Sequence, residues 1–407
     1  MNGILSGMRV VEGSAFVAAP LGGMTLAQLG TDVIRFDPIG GGLDYDRWPV
    51  TTSGKSLFWA GLNKGKRSIA VDIRSRRGQE ILTDLVCAPG DDGGLFLTNF
   101  PARGWLGYER LKEKRPDLVM VNICGRRDGS SAVDYTINPS VGFPAVTGPK
   151  DDPRPVNHLL PAWDCITGKL AAVGLLAAER YRTRTGEGQL VKVALADVAM
   201  AMLGNLGKIA EVMINDSDRP KDGNYLYGAF GRDFETLDGK RLMIVALTPA
   251  QWSNLCDATE LGPVFNEFGT RMGLDLSKAG NRFRLRRELA KILESWFHTR
   301  MMTEVREIFD VHRVCWAEYR TIREVVEKDP DCSTQNPMFE MLDHPEIGTL
   351  LTPGSPLVFE SRLRQPASRA PCIGEHTDEI LSDILGLGER EIGQLHDERV
   401  VAGAGAS

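Results

Sequence analysis

The tightest constraint on this chain is the strand–helix alternation of its first 123 residues. Met8 to Val11 reads as a short apolar strand, and Ala18 to Leu29 carries apolar residues at helical spacing before Gly30. Thr31 to Phe36 is a second strand, and Ser68 to Ile73 another. Arg76 to Ala88, Gly94 to Thr98, Trp105 to Lys112 and Leu118 to Ile123 continue the rhythm. A strand followed by a helix cannot fold back as a hairpin; it crosses over and pairs in parallel. The pattern predicts an α/β fold with a doubly wound parallel sheet. Such sheets bind ligands beyond the carboxyl ends of their strands. Asn99, Phe100 and Arg103 follow the strand Gly94 to Thr98 at such an end.

Several ligand classes are argued against. Asp37 stands where a dinucleotide fold places its ribose acid, but the first turn, EGSAFVAAP, lacks the G-x-G-x-x-G fingerprint. Neither a nicotinamide nor a flavin site is expected. A net charge of −6 points away from nucleic acid and anionic membrane surfaces. No apolar run approaches the roughly 18 residues of a membrane span. The N-terminus lacks a basic segment followed by an apolar core, as a signal peptide would have. The seven cysteines form no C-x-x-C pair, and the six histidines form no H-x-x-x-H pattern. A reduced, cytoplasmic, metal-free protein is expected.

At 407 residues two domains are the prior. A large α/β domain is placed at 1–212, a polar linker at 213–224, a small α+β domain at 225–328 and an irregular return linker at 329–356. Segment 357–407 completes the large domain, ending in a frayed tail, VVAGAGAS. In the small domain Asp238-Gly239 marks a hairpin, and helices are expected over 249–261, 282–297 and 301–310. Asp197 is expected to cap a helix over 198–213. Gly40-Gly41-Gly42, leading to Asp44, Arg47 and Trp48, reads as a flexible turn. The run Leu62 to Ser68, with Lys64, Lys66 and Arg67, is a solvated face or a phosphate receiver.

One carboxylate stands apart. Asp164 lies after Pro161 and Trp163 and before ITGKLAAVGLLAAER, an Ala/Gly-rich run suited to a helix packed on most sides. Two compatible readings arise: a helix N-cap, and a nucleophile at the mouth of a buried cavity. Cys165 is the rival nucleophile, with a buried structural thiol as its plainer reading.

These pieces together resemble one family along some 370 residues, the family III CoA-transferases. The matching marks are GMRVVEGSAFVAAP with LAQLGTDVIRFDP, LNKGKRSIAVDIRS, Thr98-Asn99-Phe100, Asp164 before its helix, RTGEGQLVKVALADV, FETLDGKRLMIVAL, LDHPEIGTLLTPGSPL and GEHTDEIL. The resemblance implies a Rossmann-like CoA-binding large domain, a smaller α+β domain and an interlaced homodimer. It implies coenzyme A as part of the substrate, with no metal, flavin or NAD. By position it makes Asp164 the catalytic aspartate and Val17, Val71, Arg74, Asn99, Phe100 and Arg103 contacts to CoA.

Departures narrow the reading. Val133 stands where a racemase of this family carries the histidine beside Asp134, so two-base proton shuttling is disfavoured. The stretch GNYLYGAFG lacks the glycine run of the formyl-CoA transferases. VDYTINPSVGFPAVTGP and VNHLLPAWD look most like members that move CoA between the two carboxyls of a branched unsaturated C4-type diacid. Arg126, Arg127, Tyr135, Asn138 or His158 would hold the second carboxylate. An intermolecular transferase for small dicarboxylic acids, a racemase and a non-catalytic acyl-CoA binder are the alternatives.

Overall fold

The computed structural model describes residues 3–361 and 364–405. Six parallel strands form the main sheet: β1 (Arg9–Gly13), β2 (Asp32–Asp37), β3 (Arg67–Val71), β4 (Leu95–Thr98), β5 (Val119–Cys124) and β6 (Leu190–Ala194). Their order is β3-β2-β1-β4-β5-β6. The chain winds outward from β1 in one direction, then returns to β4 and winds outward in the other. The switch point therefore falls between β1 and β4, where the segments leaving both strands open a crevice. These strands are buried and apolar, with Val10, Val33, Ile69, Phe96 and Val119 at 0% exposure, as a sheet covered on both faces requires.

The long helix Ala162–Thr185 packs against Ala18–Ala27 with almost no side chain between them. A Cβ added at Gly168 would lie 2.5 Å from the Ala18 carbonyl oxygen, and one at Gly22 would lie 3.0 Å from that of Gly168. This close approach is why the run is rich in Ala and Gly. It also sets Asp164, one turn before Gly168, beside the start of the first helix.

The second compact unit comprises Gly142–Asn157 and Asp218–Asp329. Its antiparallel sheet contains β7 (Phe230–Glu235), β8 (Arg241–Ala246) and β9 (Cys315–Glu318). The β7–β8 hairpin turns at Asp238-Gly239, with Gly239 at φ 72°. Phe234, Leu289, Leu293, Phe297 and Phe309 fill its core.

Several sequence expectations change. Residues 142–157 cluster with the second unit, whereas residues from 330 onward cluster with the first. The expected irregular return contains an antiparallel hairpin, β10 (Phe339–His344) and β11 (Gly348–Pro353). In the tail, β12 (Val401–Ala402) pairs antiparallel with β3 and covers that sheet edge. The helix expected over 198–213 is two helices, Leu195–Asn205 and Lys208–Asn215, broken where Gly207 takes φ 73°. Asp197 lies inside the first turn of the former rather than capping it.

Candidate active site

Asp164 occupies the first turn of Ala162–Thr185 and faces a cavity of about 500 Å³. Phe16, Val17, Phe58, Ile123, Val133 and Leu195 make most of the wall apolar. The site lies beyond the ends of β1, β4 and β5, where the winding predicts a ligand.

Asp164 is not the cap of its helix. That position is Pro161, and the carboxylate of Asp134 reaches in from the helix Asp134–Ser140. Asp134 Oδ2 accepts from the backbone N–H of Trp163 at 2.8 Å and of Asp164 at 3.2 Å. The amides that would have favoured an anionic Asp164 are thus already taken. Burial, then the Asp134 charge, push the Asp164 carboxyl up to about 7, against the pull of Arg47. The result is a desolvated, unusually basic carboxylate, which is a stronger nucleophile when ionised. Cys165 is raised by burial, then by Asp164 and Asp134, and does not line the cavity. Thiolate chemistry is disfavoured there.

The loop leaving β1 is held from three sides. Asn99 Oδ1 accepts from Ala15 N–H at 3.0 Å, and its Nδ2 donates to the Ala15 carbonyl at 2.7 Å. Phe16 has φ 67°, a costly conformation for an aromatic residue. Its N–H donates to Asp44 Oδ2 at 3.1 Å. Asp44 Oδ1 in turn accepts from Arg35 at 2.8 Å, and Arg35 also binds Asp37 and the Ser14 carbonyl. Arg35, Asp37 and Asp44 are all at most 1% exposed. This buried ion network orders the loop. Asp37 is therefore spent on Arg35, not on a ribose.

Lys66 belongs to the same network. It donates to Glu12 Oε1 at 2.7 Å, to Asn63 Oδ1 and to the Pro20 carbonyl. The cationic run after Leu62 is therefore neither a solvated face nor a phosphate receiver at Lys66, which is 4% exposed. Charge alone in the sequence could not show that Glu12, 54 residues earlier, would meet it.

A second cavity, of about 630 Å³, borders the same two segments through different residues: Ser14, Ala15 and Phe100 line it, whereas Phe16, Val17 and Asn99 line the first. Arg74, Phe100 and Arg399 line it, with Gly41, Gly42 and Ile39. Of the positions expected at CoA, Val17 and Asn99 border the Asp164 cavity, whereas Arg74 and Phe100 border this one. Val71 is fully buried in the core at the end of β3, so its side chain lines neither. Arg103 is exposed before the short turn Gly104–Leu106 and lines neither. Arg399 was not singled out from the sequence because it lies far from the early strands and follows no motif.

Among the residues expected at a second carboxylate, only Tyr135 borders the Asp164 cavity. Asn138 accepts from Trp163 Nε1 at 3.3 Å, and His158 Nδ1 lies 2.5 Å from the Leu160 carbonyl. Arg126 and Arg127 border neither cavity. Arg47, in the polar connection after Gly40–Gly42 to which the sequence assigned no role, stands in the wall. Its guanidinium carbon lies 5.4 Å from the Phe16 ring centre and 5.2 Å from that of Phe58.

A crevice built at this switch point around one basic carboxylate suits acyl transfer to and from a carboxyl, and the family model agrees: the chain belongs to CoA-transferase family III, matched over residues 5–377. Among individual relatives, it is 67% identical over 404 residues to the 2-methylfumaryl-CoA isomerase of Chloroflexus aurantiacus, with 99% of each chain covered. It is 28% identical to the succinyl-CoA:mesaconate CoA-transferase of Haloarcula hispanica, covering 95% of this chain and 97% of that one. The crystal structure of a CAIB/BAIF family protein from Brucella suis shares the fold, with a TM-score of 0.77 at 24% identity over 94% of this chain and 100% of that one. Among the described residues no helix is long and apolar enough to cross a membrane.

Proposed function

We propose that this protein moves CoA between the C1 and C4 carboxyls of mesaconyl-CoA, as a 2-methylfumaryl-CoA isomerase, with Asp164 as the covalent nucleophile. The observation that carries this reading is the basic, desolvated Asp164 carboxylate facing an apolar cavity. The near-full-length similarity to the Chloroflexus isomerase supports the substrate.

In this scheme Asp164 attacks the thioester carbonyl, the C–S bond breaks, and an Asp164–acyl anhydride and CoA thiolate result. The thiolate attacks the Asp164 carbonyl carbon, releasing the diacid and leaving an Asp164–CoA thioester. The other carboxylate of the diacid then attacks that thioester, expelling the thiolate and forming the isomeric anhydride. Thiolate attack on the acyl carbonyl gives the isomeric thioester and restores Asp164. No atom enters or leaves overall, and the exchange is divided into steps of lower barrier. Water would hydrolyse both intermediates, so an apolar wall protects them.

In the same proposal the CoA nucleotide lies in the second cavity, its phosphates near Arg74 and Arg399, with the thiol reaching past Asn99 toward Asp164. Asn99 acts chiefly by fixing Ala15. A homodimer, in the interlaced form the family resemblance implies, belongs to the same proposal; the exposed apolar residues on 200–214, including Leu206, Val212, Met213 and Ile214, favour an interface there. Light scattering of the purified protein tests the dimer, and cell fractionation tests the cytoplasmic location. The function itself is tested by incubating pure enzyme with mesaconyl-C1-CoA and no added acid. Appearance of the C4 thioester is expected. A strict requirement for added diacid would replace this reading with intermolecular transfer.

A further inference from the structure

Arg47 is an unusual charge to find in the wall around Asp164. It is the one cation among the described residues that line this cavity. Its guanidinium lies over both the Phe16 and the Phe58 rings, which restrains the planar group. Its backbone carbonyl accepts from Ser56 Oγ, which fixes the segment behind it. Among the described residues no carboxylate makes an ion pair with it, and no acceptor takes its side-chain N–H groups. The guanidinium thus offers a fork of donors to whatever fills the cavity.

The proposed substrate brings an anion that needs such a partner. One carboxyl of the diacid is tied up in the thioester, and the other is a free carboxylate. Placed among Val17, Ile123, Val133 and Leu195, an unpaired carboxylate would be strongly disfavoured. Once Asp164 is acylated its own charge is gone, and it no longer competes with the substrate for Arg47. After release the diacid carries two carboxylates, one for the Asp164 thioester and one for the cation.

Resting on the proposed function, we infer that Arg47 holds the free carboxylate of the acyl group, whichever end that is, and sets the preference for diacid over monoacid thioesters. One fixed cation then serves both isomers. The diacid exchanges its two ends between Arg47 and Asp164.

The test compares two thioesters on the same preparation, so that partial misfolding cancels. Hydroxylamine-dependent release of CoA is followed with mesaconyl-C1-CoA and with 2-methylbut-2-enoyl-CoA, in which a methyl replaces the distal carboxylate. For Arg47→Gln the ratio of the two kcat/KM values is expected to fall by about 10²–10³ from that of the parent. For Arg47→Lys, which keeps the charge but loses the fork, a fall of about tenfold is expected. The lysine variant decides the matter if the glutamine variant does not fold. A ratio within threefold of the parent overturns the assignment while leaving the proposed function in place. A parent that releases no CoA from the diacid ester overturns the underlying reading and this assignment with it.

Discussion

Replacing Asp134 by Asn isolates the device that makes Asp164 basic. The amide oxygen of Asn keeps an acceptor for the Trp163 and Asp164 N–H groups, now 2.8 and 3.2 Å from Asp134 Oδ2. What disappears is the charge. In the parent, Asp164 titrates at about 7, with burial the larger cause and Asp134 the next. Because the ionised form attacks, kcat/KM should rise with pH through that value, by about tenfold from pH 6 to pH 8. Without the Asp134 charge the midpoint moves down but stays above 3.8, since burial remains. The rise from pH 6 to pH 8 then shrinks, because more of the carboxyl is already ionised at pH 6. The less basic carboxylate should also attack somewhat more slowly at pH 8. The assay is kcat/KM for mesaconyl-CoA from pH 5.5 to 8.5, for both enzymes. Titration of the CoA phosphates is common to both and cancels in the comparison. Identical midpoints would refute the claim that Asp134 tunes Asp164. A parent profile flat across this range would refute the raised carboxyl itself.

Two further outcomes follow from the same geometry. Asp164→Asn should stabilise the fold above pH 7, by about 2 kcal/mol after allowing for partial exposure, because a desolvated carboxylate is removed. The sign follows from Asp164 being raised: the native protein keeps a proton that the unfolded chain loses between about pH 4 and 7, so parent stability declines as pH rises through that window. Denaturant melts should show no difference between variant and parent near pH 4; a difference of equal size at both pH values would contradict the assigned cause. Arg399→Ala should raise KM for the CoA ester by about tenfold with kcat changed less than threefold, through loss of a phosphate contact. An unchanged KM would remove Arg399 from the CoA site.

The sequence carried the sheet because a parallel strand buried on both faces reads as a near-continuous apolar run, and the helices between such runs reveal the crossovers. Asp164 was legible for a related reason: the Gly/Ala composition that marks it records a helix contact close enough to bring Gly168 against the Ala18 carbonyl. What stayed hidden depended on partners far apart in the chain. Asp44 looked like a loop residue until Arg35 and the Phe16 amide met it. Lys66 could be read as solvated or as a phosphate receiver until Glu12 paired with it. Arg47 carries no local mark, since its value comes from two rings and a cavity. Asp134 was read for the missing histidine beside it rather than for its own carboxylate, because a helix cap supplied across 30 residues leaves no N-cap pattern at the helix it serves. The β10–β11 hairpin was missed because its turn at Pro345-Glu346-Ile347 lacks the Asn-Gly or Asp-Gly signal that announced the turn at Asp238-Gly239.

The central claim is that Asp164 alternates between an acyl and a CoA adduct. Enzyme turning over mesaconyl-CoA should be quenched with hydroxylamine or borohydride, digested, and the peptide spanning Pro161 to Asp164 weighed. A hydroxamate or a reduced side chain at Asp164 is expected, together with a fall in turnover of about 10⁴ or more in Asp164→Ala. An unmodified Asp164 in fully active enzyme, or an adduct on Cys165 instead, would contradict the account.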